Sequence, residues 1–363
     1  MKLRQKITYG LLLLGLIISL AFASACSREK KAETPSPAAT ITVIDCIGRE
    51  VKIPTQVNRV ACLCPESGYA LAMLGQGDKI VAVVDGLQRD VILTDLYPHI
   101  KNAPLPKVSG AINIEELVKT NPDVVFVKAD TFKNDGEMAK LNKINIPFLA
   151  IEFNNIKEQQ YAIAMIGKTV GMSEKAEKYN KYYQDRIELV QRQVADIPQE
   201  QRVRVYHSIN EATRTDIQGS LSSEWLKATG AINVALTGEL KSLEGKYFAS
   251  LEQILLWNPD VILVNNMEVV DYILNNKQWT PLEAVKNKRV LQLPSGISRW
   301  GHPSSPETPL AIMWTAKNIY PDKFVDLDMA AETKYFYKEF FGLELSDEVI
   351  NRILFEGGMR AAK

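Results

Sequence analysis

The residues that could bind or transform a ligand in this 363-residue chain are few and fall in a handful of stretches. Its three histidines are His99, His207 and His302. His207 stands near the end of the strand-like run R-V-R-V-Y-H-S at 202–208, where the cleft loop 206–220 begins. His302 lies in S-G-I-S-R-W-G-H-P-S-S-P-E-T-P at 295–309, a loop too rich in Gly, Ser and Pro to be regular. Both could ligate a metal at an open position, whereas His99, in a Pro-flanked connection, reads as exposed. There is no H-x-x-x-H, no His-rich tract and no dense carboxylate cluster, so no permanently bound cofactor is expected. Arg214 and Arg299 carry planar forks suited to carboxylates or catecholates. Trp300 could cover the face of a macrocycle. Glu66, Tyr69, Arg89, Lys128 and Tyr206 stand in comparable places, and each of these residues alone reads equally well as an ordinary loop residue.

A second kind of chemistry is carried by a stretch that occurs twice. Residues 112–127 read I-N-I-E-E-L-V-K-T-N-P-D-V-V-F-V, and residues 249–264 read A-S-L-E-Q-I-L-L-W-N-P-D-V-I-L-V. Each copy predicts a short helix opened by a polar residue, Asn113 or Ser250. Glu115 or Glu252 then sits in the first turn, where the free N–H groups and the helix dipole favour an acid. Asn-Pro ends the helix. The unbroken apolar runs V-V-F-V and V-I-L-V read as strands buried on both faces, the signature of a parallel sheet. Two matched copies in register imply two similar α/β lobes.

Other catalytic signatures are missing from the sequence. It has no G-x-S-x-G elbow, H-E-x-x-H, Walker loop or C-x-x-C. Cys62 and Cys64 alternate on a strand and share a face, where they read as small hydrophobes more readily than as a metal pair. Cys46, Cys62 and Cys64 could form one disulfide plus a free thiol, or remain three thiols. Lys+Arg and Asp+Glu are equal at 43 each, so no long-range field draws the chain to nucleic acid.

The elements that position these residues follow in order. Residues 1–25 read as a signal peptide, with a basic start, an apolar core at Leu11–Phe22 and small residues up to Cys26. Ala23-Ser24-Ala25 fits ordinary cleavage, while Ala25-Cys26 followed by a polar stretch fits a lipobox. The tether of Ser, Lys, Glu, Pro and Ala at 26–40 favours Cys26 as a lipidated terminus, with Ala23 standing where that motif has Leu. Residues 41–54 predict a β-hairpin turning at Asp45–Arg49, and 59–84 a strand, helix and strand. The first lobe spans 41–155. Two helices at 156–198 follow, interrupted by Gly171, the second opened by Ser173. That second helix runs about 23 residues, roughly 35 Å, with an apolar stripe at 176, 179, 183, 187 and 190. A second lobe spans 199–330, and helices at 331–363 finish the chain. The fold class is α/β: two Rossmann-like lobes with parallel sheets, joined by a long helix, with a ligand cleft between lobes at loops leaving strand ends.

This layout resembles the substrate-binding lipoproteins of ABC importers, in the helix-linked class that carries siderophores, haem and cobalamin. The resemblance rests on V-I-D-C-I-G-R-E-V-K-I-P followed by N-R-V-A-C-L-C-P, and on the two repeat copies; it runs from about residue 41 to 320. It implies capture of a metal chelate, a ferric siderophore first, with haem, cobalamin or a nickel or cobalt chelate as alternatives. It implies an ABC permease and its ATPase as partners, and an exported monomer held at the membrane by its N-terminal lipid. It also implies that Glu115 and Glu252 dock into Arg pockets of the permease, a role in which rim charges set orientation and on-rate. The reading from another class is an extracytoplasmic enzyme on an α/β fold.

Overall fold

The structure is a computed structural model and describes residues 39–359. The signal segment, Cys26 and the tether up to residue 38 lie outside the described residues, as do residues 360–363.

The hairpin forms as read. Strand β1 (Thr40–Ile44) pairs antiparallel with β2 (Glu50–Pro54). Its turn is built on Asp45, whose buried carboxylate accepts from the Ile47 and Arg49 amides, the Arg49 guanidinium and the Ala150 amide. One acid therefore closes the turn and fastens it to the first sheet.

That sheet consists of β3 (Val60–Cys62), β4 (Ile80–Ala82), β5 (Val124–Lys128) and β6 (Phe148–Ile151), all parallel, in the spatial order β4-β3-β5-β6. A second sheet contains β7 (Arg204–Ser208), β8 (Ile232–Asn233), β9 (Val261–Val264) and β10 (Val290–Gln292), parallel, in the equivalent order β8-β7-β9-β10. In both, strand order reverses between the first strand and the third, and such a switch point opens a crevice at the carboxyl ends. The unbroken apolar runs are covered on both sides. Val124 and Phe126 face one core while Val125 and Val127 face another, and Val261 and Leu263 are sorted from Ile262 and Val264 in the same way.

The repeat forms helix α1 (Ile114–Lys119) before β5 and α2 (Leu251–Trp257) before β9. Asn113 and Ser250 cap them, accepting from the amides of Glu116 and Gln253. Asn121 and Asn258 then take positive φ, 44° and 41°, and end each turn. The Asp of each Asn-Pro-Asp clasps the neighbouring strand. Asp123 accepts from the amides of Asn58 and Arg59 and returns its own amide to the Arg59 carbonyl. Asp260 accepts from the Arg204 amide alone and returns its own amide to the Arg204 carbonyl, at 2.8 Å in both directions. The Arg59 and Arg204 guanidinium groups reach back to the Asn121 and Asn258 carbonyls. The duplication therefore extends to an Arg at the start of each first strand, Arg59 just before β3 and Arg204 as the first residue of β7.

Between the sheets run α3 (Ile156–Val170) and α4 (Ser173–Val194), separated by Gly171 at φ 76°. The stripe Ala176, Tyr179, Tyr183, Ile187 and Val190 is buried. Ser173 is the first residue of α4 and not its cap; Met172 holds the cap position with no side-chain bond. Against α4 pack α5 (Thr308–Ile319) and the C-terminal segment, where Phe336 and Phe340 are buried against Tyr179 and Tyr182. A single apolar core runs from the first sheet through these helices into the second lobe.

Because Asp123 and Asp260 each accept the amide of the Arg at the start of the neighbouring strand, Asp123→Ala and Asp260→Ala are each expected to cost about 1–2 kcal/mol. Urea unfolding monitored by circular dichroism would measure both losses. A loss at one site only would show that the two clasps are not equivalent.

Candidate ligand-binding cleft

Lys128 ends β5, and Glu66 stands in the first turn of the helix Pro65–Met73 that leaves β3. These are the two sides of the first switch point. Lys128 Nζ lies 3.8 Å from Glu66 Oε1, and Glu66 Oε2 is buried without a hydrogen-bond partner. The Lys128 ammonium is held above its ordinary pKa, mainly by Glu66, and the charge of Arg214 opposes that shift. Arg214 comes from the loop after β7, on the second lobe. Burial pushes its pKa down, with Glu211 countering. One cation from each lobe thus lies within electrostatic reach of the other.

A cavity of about 180 Å³ opens at this point, lined by Glu66, Lys128, Asp130, Glu152 and Asn154 of the first lobe and by Pro303 of the second. A larger hollow of about 450 Å³, lined by Ile187, Val194, Glu224 and Lys227 among others, lies along α4 away from both switch points. It contains none of the residues predicted from sequence to bind ligand.

The remaining predicted residues are placed as follows. Arg89 is half-buried, 3.6 Å from Asp85, with its Nε buried and unpartnered. Arg299 is half-buried and donates to the Asn210 side chain, tying the loop 295–303 to the loop after β7. His302 is half-buried, its Nδ1 2.9 Å from the Ser304 hydroxyl.

Four expectations need correction. Tyr69 is buried and donates its hydroxyl to Asp90, because it faces inward from the helix rather than outward from a loop. Tyr206 is fully buried, bonded to the Ala212 carbonyl and packed on Trp257. His207 is fully buried, its Nδ1 3.0 Å from Asp216 and its ring against Trp225. Strand β7 ends at Ser208, where the sequence places its end, but these last two residues lie in the part of it that is covered on both faces, so neither reaches the cleft loop and His207 does not stand at an open metal position. Trp300 is also fully buried and offers no face to a ligand. Its indole N–H donates to Glu307, 2.8 Å away. Among the described residues, no group of three or more His, Cys, Asp and Glu is arranged to hold a metal. Cys46, Cys62 and Cys64 are free thiols; burial pushes Cys46 up to about 11 and Cys62 up to about 12.

Glu307 is the residue that sequence reasoning missed. It sits in S-S-P-E-T-P just before α5, where an acid reads as a routine first-turn charge. In the structure it is fully buried and accepts from the Ser298 amide and hydroxyl at 2.8 and 2.7 Å, from Trp300, and from the Tyr337 hydroxyl. Burial pushes its pKa up to about 7, against the pull of these hydrogen bonds. The folded chain therefore binds this proton more tightly than the unfolded chain. The resulting stability is fully present below about pH 4, near the unfolded carboxyl's pKa, and is lost as the pH rises through about 7. The difference between wild type and Glu307→Gln in unfolding free energy should change by about 3 kcal/mol between pH 4 and pH 8. A pH-independent difference would place the Glu307 carboxyl in its ordinary range.

Comparison with known proteins agrees with this architecture. Residues 60–296 match the periplasmic binding protein family. Molybdate-binding protein MolA of Haemophilus influenzae is 27% identical over 92% of this chain and 96% of its own length. The iron(3+)-hydroxamate-binding protein YxeB of Bacillus subtilis is 22% identical over 77% of this chain and 88% of its own length. The structure of MolA bound to molybdate superposes with a TM-score of 0.75, covering 84% of this chain and 99% of that one. Helicobacter pylori CeuE with Ni(II) bound is 23% identical, and its TM-score of 0.70 over 87% of this chain and all of that one (100%) shows the shared fold. The chain belongs to the periplasmic binding protein family, the substrate-binding components of ABC importers.

Proposed function

We propose that this protein captures a compact, metal-containing anion in the cleft between the carboxyl ends of its two sheets and delivers it to an ABC permease. The observation that carries this reading is a cavity of about 180 Å³ lined by Lys128 and Glu66 of the first lobe and Pro303 of the second, with the charge of Arg214, from the second lobe, acting on Lys128. That volume lies below the roughly 300–1,000 Å³ typical of sites for drug-sized ligands. An anion bridging Lys128 and Arg214 would displace Glu66, whose 3.8 Å contact with Lys128 is loose for an ion pair. A metal oxyanion comes first, supported by the MolA resemblance. A ferric siderophore is the second reading, supported by the YxeB resemblance, and it requires the cleft to be wider with ligand. Haem and cobalamin lose support with the burial of Trp300, and no observation favours the enzymatic alternative.

The lobes 41–155 and 199–330 carry the cleft in this reading, and 156–198 joins them. Glu115 and Glu252 are both exposed in the first turn of α1 and α2, and we assign them to permease docking. Cys26 is assigned as the lipid anchor of an exported monomer.

Titration calorimetry against molybdate, a ferric hydroxamate and nickel–histidine should find one tight ligand. Lys128→Ala and Arg214→Ala should each weaken it at least tenfold, about 1.4 kcal/mol. Unchanged affinity in both variants would remove the cleft assignment. Charge reversal at Glu115 and Glu252 together should abolish uptake by cells while leaving the calorimetric affinity unaltered. Uptake that persists would leave the two acids as dipole-favoured surface residues.

A further inference from the structure

The loop 295–303 is the second lobe's side of the cleft: Pro303 lines the cavity, and Arg299 is tied to Asn210. It is gripped from behind with unusual completeness. The Glu307 carboxylate has about four lone-pair sites, and four donors fill them. Three come from the loop itself, the Ser298 amide, the Ser298 hydroxyl and the Trp300 indole. The fourth, the Tyr337 hydroxyl, comes from the C-terminal helical segment and also accepts from the Ile297 amide at 2.6 Å. A Cβ at Gly296 would collide with the Tyr337 hydroxyl and with Glu307 Oε1, so the loop can approach this closely only as glycine. The linking helices hold the loop's far end. Gln159 donates to the Ser305 carbonyl at 3.1 Å and Tyr179 to the Pro306 carbonyl at 2.7 Å.

The end of the described chain makes a second grip, and this one spans both lobes. The Met359 amide donates to the Ser295 carbonyl of the cleft loop at 2.9 Å. The Met359 carbonyl accepts from the Val91 amide of the first lobe at 3.2 Å. Gln292, on β10, donates to the Gly357 carbonyl at 3.3 Å. Gly358, at φ 90°, lies so close to Ser295 that a Cβ would collide with it. Val91 begins a short helix whose preceding residue, Asp90, accepts the Tyr69 hydroxyl, so the grip ends on a buried part of the first lobe.

We propose that Glu307 and Met359 are positioning residues of the cleft: they fix the loop 295–303 against the first lobe and so set where Arg299 and Pro303 stand relative to Glu66 and Lys128. The C-terminal helices then have a role beyond packing, as a clasp that sets cleft width. This rests on the cleft being the ligand site, but its test needs no ligand.

The test is amide hydrogen exchange of the ligand-free full chain, of Glu307→Gln, and of a chain ending at Gly358. A glutamine amide would turn an N–H₂ toward the Ser298 amide or the Trp300 indole, donors that cannot reverse. Glu307→Gln should therefore raise exchange at 296–301 at least tenfold while leaving 204–208 and 261–264 unchanged. Trp300 emission, isolated by difference from Trp300→Phe, should shift to the red in the same variant. The shortened chain should exchange faster at 91–96 and 295–298 together. If Glu307→Gln does not fold, Tyr337→Phe removes one donor and should loosen the same loop. Exchange that rises evenly across the second sheet, or not at all, would overturn the proposal by reducing Glu307 to a general stabiliser or a bystander. Loosening as described in a protein that binds none of the three calorimetric probes would count against the ligand assignment and leave the clasp intact.

Discussion

The two clasps made by Asp123 with Arg59 and by Asp260 with Arg204 are the constraint on which the rest of this molecule depends. Each fastens the start of the first strand of a lobe to the start of its third, the two strands between which the order reverses. Fixing their register at the amino ends fixes where their carboxyl ends emerge, and those ends carry Glu66, Lys128 and the loop that holds Arg214. The same Asn-Pro-Asp turn terminates the helix that presents Glu115 or Glu252. One local device, used twice, thus couples the binding surface to the exposed acids of each lobe.

The linking helices turn two such lobes into one body. The Tyr179 and Tyr183 stripe is buried on one side of α4, and the C-terminal aromatics close over it. The apolar core is therefore continuous from the first sheet into the second lobe. If the proposed cleft is the ligand site, such a continuous core lowers the ordering cost of binding, because the groups on both sides are already held.

How much of this could be read in the sequence depended on the range over which each signal acts. The repeat, the hairpin at Asp45, the break at Gly171 and the α4 stripe are written in neighbouring residues, and the structure forms all of them. The carboxyl-end loops were legible too, because parallel strands buried on both faces need only apolar runs and turn residues to announce themselves. Tyr206 and His207 lie in the strand 202–208 that the sequence predicts; what its pattern does not show is that both faces of the carboxyl end are covered, so that the polar His207 has no solvent to face. Its Nδ1 is instead paired with Asp216, nine residues on and invisible to periodicity. Trp300 was misplaced for a related reason. A Trp in a Gly- and Ser-rich loop looks exposed, and only the buried Glu307 and the distant Tyr337 explain why it is not. The clasp at Met359 leaves no local trace, because it consists of backbone bonds between segments far apart in the chain.

The proposed cleft is tested most directly by where a bound metal lies. Crystals of protein purified from its own host, measured on either side of the absorption edge of whatever metal elemental analysis detects, would locate it by anomalous scattering. A single peak between the Lys128 ammonium and the Arg214 guanidinium, near Pro303, is the predicted result. A peak beside His207 and Asp216 or in the hollow along α4, or a cleft filled by a metal-free organic molecule, would contradict it.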